Sequence, residues 1–156
     1  RTGCYIGPRQ FSREDAVVKK SYEARINIKA DAQKVWAILA DAQSYTSWNS
    51  TVSKVEGTIE QGNKIKVWAT VSPDRAFPVK VSSLRPPEQM VWTGGMPLGL
   101  FKGERVFRIT SISGGVEFSM EEEFTGLMST LICKSMPDLQ SSFDAFAADL
   151  KKAAEG

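Results

Sequence analysis

The 156-residue chain contains no histidine. That absence removes histidine-based nucleophilic triads, imidazole proton shuttles and the usual zinc constellations. Any chemistry then falls to carboxylates, lysine, tyrosine, serine or cysteine. Cysteine is scarce too: Cys4 and Cys133 are the two present. They do not resemble a disulfide framework, and a reduced, cytoplasmic setting is the expectation. No apolar run approaches the ~18 residues that cross a bilayer, and residues 1–20 lack the continuous apolar centre of a signal peptide. No integral membrane segment is therefore expected. Asn49-Ser50-Thr51 matches the glycosylation sequon, but without a secretion signal it reads as chance.

Net charge is also small, +2, and unevenly placed. Residues 1–20 hold five basic and two acidic groups, whereas the rest hold 15 basic and 16 acidic. The body of the chain thus has no net attraction for nucleic acid or anionic lipid. Residues 1–20, broken by Gly3, Gly7 and Pro8, show no sustained period. They are expected to be an N-terminal extension, a flexible arm or a tag remnant, ahead of one domain at 21–156. What the chain has in quantity is apolar: 42% of residues are hydrophobic, with eight Phe and four Trp. That is globular composition, with enough length for a substantial core.

The domain opens on a period-two pattern at 21–30, with Tyr22, Ala24, Ile26 and Ile28 alternating with Glu23, Arg25, Asn27 and Lys29. This predicts a half-buried strand. Asp31 is placed to cap a helix whose buried stripe is Val35, Ile38, Leu39 and Ala42. An aromatic corner follows, ending in Trp48-Asn49. Strands are then expected at 51–55, 64–71, 77–84, 89–93, 101–112 and 116–124. In the second of these Ile65, Val67, Ala69 and Val71 face in; in the third Phe77, Val79 and Val81 share a face. Arg85-Pro86-Pro87 is a turn, because proline lacks the ladder donor. Residues 94–99, rich in glycine, are a flexible loop. Ser113-Gly114-Gly115 is a hairpin signal. From Leu127 the period becomes helical, with Leu139, Phe143, Phe146 and Leu150 on one stripe and Pro137 as a kink or restart. Seven sequential antiparallel strands with short connections argue for a bent meander whose concave face the last helix covers.

Several residues carry this pattern together. They are Val35-Trp36-Ala37-Ile38-Leu39, Asp41 and Tyr45 leading to Trp48-Asn49, and Pro87 with Met90-Val91-Trp92. Phe101-Lys102-Gly103-Glu104 with Phe107, and Glu122-Glu123-Phe124-Thr125-Gly126-Leu127, complete the set. In order and spacing over 22–152 the chain resembles the SRPBCC superfamily of START-type lipid-binding, polyketide cyclase/dehydrase-like and pollen-allergen-like proteins. The resemblance implies an α+β helix-grip fold. A seven-stranded antiparallel sheet would wrap a long C-terminal helix, with one or two short helices between strands 1 and 2 and an apolar cavity inside. Two departures stand out. The usual Trp-Asn-Pro corner reads Trp48-Asn49-Ser50, and Arg105 stands where many relatives have His, so a proton transfer by that His does not carry over.

The acidic run Glu121-Glu122-Glu123 does not gather on one metal, because neighbours on a strand point to opposite faces. Glu122 alone faces in, with Phe118, Met120 and Phe124. A two-residue turn at Ser113-Gly114 sets Ile112 against Gly115, and hence Phe107 against Met120, Ile109 against Phe118 and Arg105 against Glu122. Two inward charges among aromatics should pair. They form either a structural ion pair or a polar anchor for a ligand, and are the weak catalytic candidates. The expected cavity is lined by Leu39 and Trp48 from the first helix and its corner, and by Val67, Val81, Trp92 and Leu100 from the middle of the chain. Arg105, Phe107, Phe118, Met120 and Glu122 line it from the long hairpin, and Leu139 and Phe143 from the last helix. Gly57 and Gly62 have phosphate-loop spacing, but Asn63-Lys64 and a strand follow, so that reading fails. Lys64, Lys66 and Trp68 on one outer face are too few for a nucleic-acid site.

The leading functional expectation is binding or transport of an apolar small molecule such as a lipid or polyketide. The alternatives are a metal-free cyclase/dehydrase-like enzyme and a cochaperone- or toxin-like interaction protein of the same fold. None of the three calls for a cofactor, a metal or a nucleic-acid partner.

Overall fold

The computed structural model describes residues 20–156. Residues 1–19, almost all of the expected extension, lie outside the described residues. Strand β1 (Lys20–Ile28) alternates as its sequence requires, burying Tyr22, Ala24 and Ile28. Asp31 then caps α1 (Ala32–Leu39), its carboxylate accepting from the Lys34 amide at 2.8 Å. The helix buries Val35, Trp36 and Leu39. Asp41 caps a 3-10 turn (Ala42–Ser44), which runs into the single-turn helix α2 (Tyr45–Trp48).

The remaining strands are β2 (Val52–Glu56), β3 (Lys64–Ala69), β4 (Ala76–Arg85), β5 (Gln89–Met96), β6 (Phe101–Ile112) and β7 (Gly115–Thr125). Helices α3 (Ser129–Ser135) and α4 (Gln140–Glu155) close the chain, with Pro137 in the break between them. All seven strands form one antiparallel, curled sheet in the order β1-β7-β6-β5-β4-β3-β2. Strands β1 and β2, close in sequence, therefore stand at opposite edges, and the α1–α2 excursion carries the chain across the concave face. Helix α4 lies in that concavity, burying Phe143, Phe146, Ala147, Leu150 and Ala154. This is the helix-grip arrangement expected from the resemblance.

The β6–β7 hairpin has the expected register: Arg105 opposite Glu122, Phe107 opposite Met120, Ile109 opposite Phe118. Two local expectations need correction. Strand β3 ends at Ala69, because its ladder to β4 stops at Trp68–Ala76; Val71 sits beyond, 44% exposed rather than facing in. Phe77 keeps the face of Val79 as expected, pairing with Val67, and is exposed under the Arg75 guanidinium. Finally, β5 does not stop at Thr93. Gly94, Gly95 and Met96 continue the ladder opposite Gly103, Lys102 and Phe101. The glycine of this segment is there for close approach: a Cβ on Gly95 would lie 2.2 Å from the Phe101 carbonyl oxygen. The loop thereby shrinks to 97–100. Asn49 of the sequon is buried, at 3% exposure.

Candidate functional site

Antiparallel register places side chains in rows across the concave face. One row crosses five strands: Val81, Trp92, Arg105, Glu122 and Tyr22 are successive partners on β4, β5, β6, β7 and β1. It places an ion pair on a largely apolar face. The next row toward the β6–β7 turn carries Met90, Phe107, Met120 and Ala24, and the one beyond it Ile109 and Phe118. In the other direction lie Gly94, Gly103 and Phe124.

Arg105 and Glu122 pair as their register predicts. Glu122 Oε2 accepts from both Arg105 Nη2 at 2.7 Å and Nε at 3.1 Å. The side chains keep 24% and 14% of their exposure, so the pair is sheltered yet reachable by solvent. Phe143 of α4 covers it, its ring centroid 4.8 Å from the guanidinium carbon, a cation–π contact that fixes the arginine from the helix side. The second carboxylate oxygen, Oε1, lies over Gly103, 3.4 Å from where a Cβ would stand. Absence of a side chain at 103 thus leaves room for that oxygen. Glu121 and Glu123 face outward as expected, and Glu121 pairs with Arg108 across the outer face at 2.6 Å.

Aromatics surround the row. Trp92 packs edge-on to Phe107 at 4.9 Å and stacks on Tyr45 at 6.2 Å. Phe146 of α4 reaches Tyr45, Trp48, Phe107 and Phe118, within 6.3 Å in each case. Tyr22 lies between Phe143 at 5.6 Å and Phe124 at 6.3 Å. Burial pushes the Tyr45 phenol well above its ordinary pKa, the Arg105 charge opposing the shift and Asp41 adding to it. The Tyr45 hydroxyl donates to the Leu39 carbonyl. The Trp92 indole N–H, by contrast, is buried with no hydrogen-bond partner, whereas the Tyr22 hydroxyl lies beside the Lys20 ammonium, whose pKa it helps to raise.

Of the residues expected to line a cavity, Leu39, Val81, Trp92, Phe107, Phe118, Met120 and Phe143 are buried together in one core cluster. Trp48, Val67 and Leu139 pack against its margin. Leu100 sits half-buried in the β5–β6 turn. Sequence reasoning omitted Tyr22, Tyr45 and Phe146 from the site, although the alternation of β1 and the stripe of α4 pointed all but Tyr45 inward. Open concavities lie outside this interior. One, about 580 Å³, is bounded by Lys20, Cys133, Met136 and Asp138, between the start of β1 and the α3–α4 break. Another, about 350 Å³, lies beside the β6–β7 turn against Lys29–Ala32. Among the described residues no three of Cys, Asp and Glu converge as a metal site, and no helix is long and apolar enough to cross a membrane.

Residues 19–155 match the family described as polyketide cyclase / dehydrase and lipid transport. No curated protein matches. Solved structures match at low identity. Protein MLL2253 of Mesorhizobium loti is 13% identical, with 86% of this chain and 96% of that chain covered and a TM-score of 0.67. Hypothetical protein jhp0584 of Helicobacter pylori is 12% identical over 95% and 94%, with a TM-score of 0.68. The di-domain ARO/CYC BexL of the BE-7585A biosynthetic pathway is 13% identical over 88% of this chain and 50% of its own, with a TM-score of 0.63.

Proposed function

Because this chain belongs to the polyketide cyclase/dehydrase and lipid transport family, of the SRPBCC type, we propose that it binds an apolar small molecule, a lipid or polyketide, between the sheet and α4. Arg105 and Glu122 are the polar anchor. The observation that carries this reading is the placement of a half-sheltered ion pair on the concave face, among aromatics, with solvent access retained. A purely structural pair needs no such access. The core aromatics close on one another in this structure, so binding requires Phe143 and the α3–α4 break to give way. Helix α3 is suited to that motion, since Ser129 is its one buried residue.

Native mass spectrometry of the purified protein, followed by organic extraction, tests the proposal directly. A discrete extra mass that extracts as an apolar acid or ketone supports it. A protein that stays at its bare mass after incubation with fatty acids, sterols and polyketide-like aromatics refutes it.

A second reading is a cyclase/dehydrase-like enzyme in the same place. The observation in its favour is Glu122 Oε1, which accepts no hydrogen bond among the described residues while Arg105 holds Oε2. A carboxylate oxygen beside a guanidinium can take a proton while the cation stabilises the developing enolate. Turnover of a polyketide-like substrate that disappears in Glu122→Gln supports this reading; tight binding with no turnover removes it.

A further inference from the structure

Seven large hydrophobic side chains are left exposed among the described residues, and six of them gather at one end of the sheet. They are Val71, Phe77, Met96, Leu98, Leu127 and Leu131; Ile112 stands alone at the other end. An antiparallel meander brings the β3–β4 connection, the β5–β6 turn and the start of α3 to that one end. The two most exposed project from adjacent turns. Leu98 keeps 93% of its exposure and Leu127 83%. The Leu127 amide donates to the Gly99 carbonyl at 3.4 Å and the Met128 amide to that of Leu100 at 2.8 Å, which holds the turns together. Leu131, 66% exposed, follows one helical turn after Leu127. Leu98 works against the fold in two ways. Its φ of +62° lies in the left-handed region, the one such non-glycine residue among those described, and glycine or asparagine would sit there with less strain. Its side chain also stands in water. Neither property stabilises the protein, so the leucine serves a contact outside it.

We propose that this end of the molecule docks on a lipid bilayer surface, with Leu98, Leu127 and Leu131 entering the boundary between headgroups and acyl chains. Shape and charge select that occupant. A partner protein would need a separate pit for each projecting leucine, whereas a bilayer interface accepts apolar side chains wherever they fall. Residues 94–103 and 125–137 contain Lys102 and Lys134 and no Asp or Glu. Lys102 is held at 3.2 Å by Glu104, further along β6, and Lys20 joins Lys134 around the open concavity beside α3. The leading surface is thus free of carboxylates and rimmed by ammonium groups, an arrangement that an anionic headgroup layer attracts. The attraction is local, since the chain as a whole carries too little net charge to supply it. The surface shares no residue with the Arg105–Glu122 row and does not depend on what the interior holds.

Vesicle flotation tests the surface, with vesicles of phosphatidylcholine alone and of equal parts phosphatidylcholine and phosphatidylglycerol. Wild type should float with the anionic vesicles and more weakly with the zwitterionic ones. The Leu98→Asn/Leu127→Asn double variant should bind at least about tenfold less. Both side chains lie in solvent, so its melting temperature should stay within about 2 °C of wild type, and lost folding cannot imitate lost binding. Leu127→Trp adds a reporter at the tip. Brominated phosphatidylcholine should quench its emission and leave that of the four native tryptophans unchanged. Wild type that floats with neither vesicle overturns the proposal, as does a double variant that floats like wild type or a Leu127→Trp variant that floats unquenched. A wild type that dimerises in sedimentation velocity without floating, and that the double variant makes monomeric, would assign the patch to a second copy of the chain instead.

Discussion

Replacing Arg105 by Met removes the one guanidinium that holds Glu122 Oε2 and leaves a carboxylate with 14% of its exposure and no counter-charge. Breaking a fully buried pair costs about 3–5 kcal/mol, whereas exposed pairs contribute ~0–1 kcal/mol. Partial access puts this pair between the two, and about 2 kcal/mol is expected for Arg105→Met. The cation–π contact to Phe143 at 4.8 Å is lost in the same variant. Glu122→Met should cost somewhat less, because Arg105 keeps Phe143. The double variant removes both charges and fills the row with apolar atoms, so its stability should lie within about 1 kcal/mol of wild type. The coupling is then about 3–4 kcal/mol, and each single variant should melt roughly 4–8 °C lower. Urea unfolding followed by tryptophan fluorescence at pH 7 measures all four corners, with unchanged m-values as the check on two-state behaviour. A double variant as unstable as the two singles added together would refute the reasoning, since the charges would then act independently.

Phe146→Ala should cost about 3–5 kcal/mol, because this ring joins α4 to Tyr45, Trp48, Phe107 and Phe118; a loss below about 1 kcal/mol in the same urea assay would show that the helix is held elsewhere. Tyr45 is pushed above its ordinary pKa by burial, so its linkage contribution is intact below about pH 10, the unfolded value, and is lost as pH rises beyond it. Phenolate absorbance near 295 nm should therefore show one tyrosine that ionises only as the chain unfolds; full ionisation of a protein still folded by circular dichroism would contradict this. Gly115→Ala places a Cβ 2.1 Å from the Ile28 carbonyl oxygen, and a loss above about 2 kcal/mol is expected. Thermal melts check this, with Gly115→Ala as stable as wild type being the contrary result.

The sequence was most legible where a turn and an alternation agreed. Ser113-Gly114 fixed one hairpin, and counting outward from it paired Arg105 with Glu122, the registration found. Capping by Asp31 was readable for the same reason: a short polar side chain ahead of an apolar stripe has one obvious local use. Gly94-Gly95 misled, because glycine marks flexibility in a loop and close backbone approach in a strand, and composition does not distinguish them. Val71 continued an alternation that its neighbours did not continue as a ladder. Tyr22 joined the site only through β1–β7 pairing, a long-range contact that no local pattern announces. Tight filling of the concave face was hidden as well, since an inward pattern specifies which side chains meet but not how much space they leave.

The neighbours Tyr22 and Glu122 stand about a hundred residues apart along the chain. At ~5–20 residues per second, roughly 5–20 s of synthesis separate the two halves of that pair. Strand β1 is made first and then waits, its edge unpaired, while the meander from β2 to β6 assembles hairpin by hairpin. Only when β7 emerges does the row of Arg105 acquire Glu122 and then Tyr22, and only after that can α4 settle over it. The binding face is thus the last part of the molecule to be built, and β1 is the segment that most needs shelter on the ribosome.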